Sequence, residues 1–145
     1  KVIDINLSGS FYTIKAFIDS MLDKEENDRK SIIFISSGSA FTGGGGGVHY
    51  TASKSGQHGL MRALAKEYGK AGINVNAIAP RVIASHILDQ LYPDEKSKQE
   101  LIEQIPIRRI GYPEDIGNLA CFLASEKSTY IHGQIILMDG GRTYQ

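Results

Sequence analysis

The chain has 145 residues, 41% of them hydrophobic and 22% charged, and its sixteen basic residues balance sixteen acidic ones. That length and composition describe one globular domain able to bury a core. Neither sign of charge clusters, which argues against a nucleic-acid groove or an anionic membrane surface and favours small, nearly neutral substrates over polyanionic partners.

No apolar run reaches the ~18 to 20 residues that span a bilayer, and no basic segment followed by an apolar one opens the chain, so a cytoplasmic location is expected. The single cysteine, Cys121, lies in Leu119-Ala-Cys-Phe-Leu-Ala124 and reads as a small buried hydrophobe. The chain starts at Lys1, already inside a helical pattern, so it is expected to be part of a longer polypeptide.

Ile3, Leu7, Phe11, Ile14, Ile18 and Met21 or Leu22 have the spacing of one buried face on a first helix, which polar residues 23–30 bring to an end. Ser31-Ile-Ile-Phe-Ile-Ser36, short, apolar and rich in β-branched residues, predicts a central parallel strand. Five consecutive glycines, Gly43 to Gly47, lead into a second helix over 50–71. Ile73-Asn-Val-Asn-Ala-Ile-Ala79, ended by Pro80, predicts the next strand, and Gln134-Ile-Ile-Leu-Met138, ended by Asp139-Gly-Gly141, the last. Between them a helix begins at Pro113, where a missing N–H costs little and where Glu114 and Asp115 meet the positive end of the helix dipole. Ile116, Leu119, Ala120 and Leu123 line its inner face.

Helices and strands in alternation give a parallel sheet with crossover helices, so the fold class is α/β. Residues 81–110 break the pattern. Their polar helical pieces, 85–91 and 94–104, follow the C-terminal end of a strand, the ligand side of an open parallel sheet, and a mobile lid is expected there.

Tyr50-Thr-Ala-Ser-Lys54 places a phenol and an ammonium at i and i+4 on one helical face. A free tyrosine has a pKa near ~10, so only about one in a thousand is ionised at neutral pH. A cation held beside it stabilises the phenolate, and a shift of two to three units requires about 3 to 4 kcal/mol of differential stabilisation. So tuned, Tyr50 could give a proton to a carbonyl or take one from an alcohol. On its own, such a pair also arises by chance in many helices.

The company it keeps is more specific. Ile35-Ser-Ser37, then Tyr50-Thr-Ala-Ser-Lys54 with its tyrosine thirteen residues beyond Ser37, then Ile73-Asn-Val-Asn-Ala-Ile-Ala-Pro80, and finally Gly133-Gln-Ile-Ile-Leu-Met-Asp-Gly-Gly141 stand in the order and spacing of a known family. From Asn6 to Gly141 the chain resembles the short-chain dehydrogenase/reductase family, in its single-domain type that includes reductases of 3-oxoacyl thioesters and sugar or polyol dehydrogenases. The resemblance implies a Rossmann-like, doubly wound parallel sheet in three α/β/α layers. Residues 1–145 would be its C-terminal catalytic portion, with 81–110 as substrate lid and the N-terminal half absent.

It further implies hydride transfer between NAD or NADP and a small-molecule carbonyl or secondary alcohol, the residues that choose between the two cofactors lying outside this sequence. Tyr50 would be the acid/base. Lys54 would tune it and hold the nicotinamide ribose. Ser37 would hydrogen-bond the substrate oxygen, with Ser36 facing elsewhere, and Asn6 would hold a water for a proton relay to Lys54. Backbone groups of Pro80, Val82 and Ile83 and the hydroxyl of Ser85 would meet the nicotinamide carboxamide and a cofactor phosphate. The helices bearing Asn6 and Tyr50 would pack against their copies in a homodimer or homotetramer.

Arg81 departs from the family pattern, which has glycine there. Either the backbone is ordinary at this point, or the guanidinium has a use such as holding an acidic group of the substrate. His49 either lines the substrate cleft or is simply exposed. The glycine run has neither the G-x-G-x-x-G nor the Walker spacing, so it reads as a cleft wall or a plain linker. His58, His86 and His132 have no ligand spacing and no metal is expected. Two other readings of the same residues are a non-catalytic or truncated dimerisation module, and an epimerase or dehydratase of the same fold.

Overall fold

The computed structural model describes residues 1–22 and 30–143; residues 23–29, expected to end the first helix, lie outside them. The first helix opens with a π-wound turn, Asp4–Ser8, and continues as α1, Gly9–Leu22. Strand β1, Lys30–Ile35, is followed by a short helix α2, Ser39–Thr42, and by α3, Gly47–Tyr68. The second helix thus ends before residue 71, because Gly69–Ala71 tightens into a 3-10 turn. Strand β2 is Ile73–Pro80, helices α4 and α5 are His86–Leu91 and Glu95–Glu103, α6 is Pro113–Ala124 and β3 is Ile135–Met138.

The three strands are parallel in the order β1-β2-β3, with Phe34 opposite Ala77 and Ala77 opposite Ile135. The central place belongs to β2, whose Ile73, Val75, Ala77, Ile78 and Ala79 are all fully buried. β1, predicted to be central, instead has one edge that pairs with no strand among the described residues, and its Ile35 is 48% exposed.

Side chains alternate across a strand, so Ile73, Val75 and Ala77 share one face of β2. With Phe34 of β1 they pack against Ile18 of α1 and Met61, Leu64 and Ala65 of α3. Burying a side chain such as Met61 contributes roughly 1.5–3 kcal/mol. Ser31 and Asn74 point to the opposite face. There Ser31 Oγ donates to the Leu123 carbonyl (3.5 Å) and Asn74 Nδ2 to that of Ser128 (3.4 Å), which places the end of α6 on the far side. The outcome is three α/β/α layers. His132 joins two of them: the Val75 N–H donates to its Nδ1 (3.2 Å), so its Nε2 carries the proton and donates to the Ala65 carbonyl (2.8 Å).

Two expectations are corrected. The first-helix stripe is covered only in part: Leu7 lies against Gly56 of α3 and Ile18 is buried, whereas Phe11 (48% exposed) and Ile3 (44%) are exposed, as are Ile5, Tyr12 and Phe17 beside them. Cys121 is exposed as well. It stands two residues from both Leu119 and Leu123, about 200° round the helix from the face they occupy. No helix among the described residues is long and apolar enough to cross a membrane.

Candidate active site

The site forms where β1 and β2 end. Beyond β1 the chain stays tied to its neighbour, the Ser36 N–H donating to the Ile78 carbonyl (2.7 Å) and the Gly38 N–H to the Pro80 carbonyl (2.9 Å). Ser37 is therefore held between two backbone anchors. Its Oγ accepts from the Ser39 N–H (3.2 Å) and the Ser39 hydroxyl (3.0 Å). With both lone pairs engaged, the hydrogen of Ser37 is left to donate to something else.

Ser36 turns the other way. Its buried Oγ lies 2.7 Å from His58 Nε2 and donates to the Lys54 carbonyl (3.3 Å). Burial, and then the charge of Arg62, hold His58 below the usual histidine pKa, and its ring also contacts Phe41. A neutral imidazole thus braces the turn of α3 that carries Lys54.

The glycine run shapes the entry to that helix. Gly43, Gly45, Gly46 and Gly47 all have positive φ, a conformation other residues adopt only with strain, so the segment is a specific turn and not a plain linker. Gly46 also has no room for a side chain: a Cβ there would lie 2.5 Å from Cδ1 of Tyr50. The tyrosine ring rests directly on the glycine.

One turn along α3, Lys54 Nζ donates to the Ile35 carbonyl (2.9 Å) and stands 5.8 Å from the centroid of the Tyr50 ring. Burial pushes its pKa below the usual lysine value. Two of its N–H groups remain available, and no carboxylate among the described residues pairs with it.

Asn6 lies in the π-wound turn, in which the Gly9 N–H donates to the Asp4 carbonyl. Its carbonyl accepts from Ser10 Oγ (2.7 Å) and Gln57 Nε2 (2.8 Å), and its side chain donates to Ser53 Oγ (3.1 Å). Ser53 Oγ in turn donates to the Tyr50 carbonyl (2.7 Å). Asn6 is tied directly to the helix of the pair, with no direct bond to Lys54.

Past β2, the unusual backbone falls one residue later than the family's glycine. Arg81 has an ordinary φ, whereas Val82 has φ +59°. A left-handed conformation costs a residue with a Cβ roughly 1–2 kcal/mol. It is held by Gly111, whose N–H donates to the Val82 carbonyl (3.1 Å) and whose carbonyl accepts from Ala84 N–H (2.8 Å). The N–H groups of Val82 and Ile83 find no partner among the described residues. The Ser85 hydroxyl accepts from the Leu88 N–H (3.2 Å) as the cap of α4 and keeps its own hydrogen.

A cleft of about 600 Å3 brings Ser37 and Tyr50 together with Pro80, Arg81, Val82, Ile83 and Ser85. Gly44 and Gly45 form one wall, and Ile87, Leu88, Leu91 and Tyr92 of the 81–110 stretch another. Lys54 and Asn6 stand behind the lining. His49 is exposed outside it, its ring near Gly47. Sequence reasoning missed Ser39, His58 and Arg142, the last reaching the cleft from the C-terminal segment. Nothing in their local sequence marks them, since their partners are set by the tertiary fold. Among the described residues no three His, Cys, Asp or Glu side chains group closely enough to hold a metal ion.

Comparison with known proteins agrees on one family. A family model described as enoyl-(acyl carrier protein) reductase matches residues 1–143. The 3-oxoacyl-[acyl-carrier-protein] reductase of Rickettsia felis is 40% identical over 141 residues, covering 97% of this chain and 56% of the relative. The L-rhamnose-1-dehydrogenase of Scheffersomyces stipitis is 39% identical, with 97% and 54% covered. Among solved structures, a protein from Agrobacterium tumefaciens assigned as a 2-deoxy-D-gluconate 3-dehydrogenase, with bound NADP, superposes with a TM-score of 0.86 at 40% identity, covering 97% of this chain and 56% of that one. This chain spans little more than half the length of the relatives it matches.

Proposed function

This chain belongs to the short-chain dehydrogenase/reductase family, and on that footing we propose that it carries the acid/base machinery of an NAD(P)-dependent oxidoreductase that interconverts a small-molecule carbonyl and a secondary alcohol. The observation that carries this reading is the meeting of Ser37 and Tyr50 in one cleft, with the Lys54 ammonium beside the tyrosine ring.

In reduction, Tyr50 passes its proton to the carbonyl oxygen, and in oxidation it takes the alcohol's proton. The Lys54 ammonium stands 5.8 Å from the centre of the tyrosine ring, where its positive charge faces the oxygen that exchanges the proton. Ser37, with its acceptor sites occupied by Ser39, gives its hydrogen to the same substrate oxygen and stabilises the charge that develops there. Asn6, through Ser53, fixes the backbone of the tyrosine's turn; the expected water relay would share its carbonyl with Ser10 and Gln57.

The residues present fit the nicotinamide end of the cofactor. The free N–H groups of Val82 and Ile83 suit a carboxamide, the Ser85 hydrogen a phosphate oxygen, and the spare N–H groups of Lys54 the ribose hydroxyls. When bound, the nicotinamide supplies or accepts the hydride.

Within 81–110 the lid role falls to α4. Leu101 and Ile105 are buried and fix the later part of the stretch, whereas Ile87 and Leu91 of α4 border the cleft with about two thirds of their surface exposed, 68% and 67%. The exposed Phe11, Tyr12 and Phe17 of α1 and Val48 of α3 support a homodimer or homotetramer built on these two helices. The single exposed thiol, Cys121, suits the cytoplasm.

The test is Tyr50→Phe in the full-length polypeptide, followed by cofactor absorbance. The expected outcome is a loss of about 100-fold or more in kcat with the fold intact. Unchanged turnover rejects the assignment, and turnover without net redox change of substrate would favour an epimerase or dehydratase.

A further inference from the structure

We infer that the cleft selects substrates bearing a carboxylate, and that Arg81 and Arg142 bind it. The inference rests on the oxidoreductase reading above and adds the chemical class of its substrate.

Among the described residues the cleft has two charged side chains in its lining, both guanidiniums, and no aspartate or glutamate. Each guanidinium has five N–H donors, and among the described residues each is tethered to one neutral oxygen, Arg81 Nη1 to Thr143 Oγ1 and Arg142 Nη2 to Gln104 Oε1. Neither forms an ion pair among the described residues. Nearby Arg109 shows the contrast, since both oxygens of Asp115 take its N–H groups at 2.7 and 2.9 Å. Asp139, the acid nearest in sequence to Arg142, is buried and directs its oxygens to the N–H groups of Gly141 (2.9 Å) and Thr143 (2.7 Å).

Position matters as much as charge. The stem of Arg81 packs on Gly38, where a built Cβ would meet its Cβ at 2.8 Å, so the side chain runs past the residue next to Ser37. Arg81 also takes an ordinary backbone conformation, the strained one falling to Val82. Nothing in the local backbone requires a residue other than glycine at this place, and the charged side chain is what the arginine adds. Both cations line one cleft, and a carboxylate bound there matches the planar donor fork of a guanidinium. The composition is balanced overall, whereas both charged residues lining the cleft among the described residues are arginines.

A second anion could claim these groups, the pyrophosphate of the cofactor, and the experiment separates the two. In the full-length polypeptide, calorimetric binding is measured with saturating oxidised NAD or NADP, and turnover is followed with NADH or NADPH as reductant for acetoacetate against methyl acetoacetate and with NAD or NADP as oxidant for D-gluconate against D-gluconamide. The expected result is at least a tenfold preference for a charged member over its uncharged partner. Arg81→Gln and Arg142→Gln should each erode it severalfold, and Arg81→Lys should restore part of it. Equal binding of charged and uncharged partners overturns the inference, as does absence of binding by both acids. So does an Arg81→Gln effect confined to the affinity for NADP, which would give the guanidinium to the cofactor. An acid preference seen in binding without turnover would count against hydride transfer while leaving the carboxylate site standing.

Discussion

Ser39 gives both its N–H and its hydroxyl to a single atom, the Oγ of Ser37, at 3.2 and 3.0 Å. Ser39 is itself buried, so it holds the hydroxyl of Ser37 in one orientation from inside the fold. Ser39→Ala keeps the N–H bond and loses the other, a neutral hydrogen bond worth about 0.5–1.5 kcal/mol. The expected outcome is a fall in kcat of roughly 2- to 10-fold, the same energy expressed as rate. KM for the cofactor should stay unchanged, and Ser39→Thr should recover part of the loss. Steady-state kinetics of the three proteins checks it.

Gly46→Ala brings a methyl group to 2.5 Å from Cδ1 of Tyr50 at a φ of +79°. Gly45→Ala carries comparable backbone strain, φ +90°, with nothing within 4 Å of its Cβ. Both should lower the melting temperature. Only Gly46→Ala should displace the ring, and a misplacement of about 1 Å in a reacting group costs on the order of 100-fold in rate. Comparing kcat for the pair separates ring displacement from backbone strain.

Lys54→Met should make the fold more resistant to heat at neutral pH while abolishing most activity. Burial lowers the lysine's pKa in the folded state below its ordinary 10.5, so the unfolded chain holds that proton more tightly. The charge therefore costs stability throughout the range below the folded pKa, and the cost is relieved as pH rises from that value through 10.5. Thermal melts of both proteins at neutral pH and near pH 10.5 should show the variant's advantage shrinking in the alkaline buffer.

Asp115 predicts an acid limb. Its hydrogen bond with Arg109, reinforced by the Tyr112 N–H at 2.8 Å, holds its pKa at about 2, below the ordinary 3.8. A depressed carboxyl contributes stability above its unfolded pKa and loses it as pH falls through the folded one, here between about 4 and about 2. Acid titration followed by circular dichroism should show Asp115→Asn losing sensitivity in that window, and its α6 start, where Asp115 closes the cap, fraying already at neutral pH.

The architecture was legible wherever a local pattern has one physical cause. The run Ile73-Asn-Val-Asn-Ala-Ile-Ala79, stopped by Pro80, marked a strand, and Pro113 with Glu114 and Asp115 marked a helix start. Patterns that depend on what lies opposite were less legible. The spacing of Phe11 puts it on the stripe of Ile14 and Ile18, but spacing carries no information on whether anything covers that stretch. In the site, the tyrosine and lysine could be read from i and i+4 geometry. The positive φ of Val82 and the approach of Arg142, sixty-one positions beyond Arg81, arise only when distant segments meet.

The edge of β1, unpaired among the described residues, is a place where binding adds stability. Ile35 of that strand and Ile5 of the first helix border one open groove, and the backbone groups on that side meet no strand among the described residues. Whatever pairs there binds the folded form and not the unfolded one, adding RT ln(1 + [L]/Kd), about 2.7 kcal/mol at a hundredfold excess over Kd. The melting temperature of such a chain moves with what stands beside it.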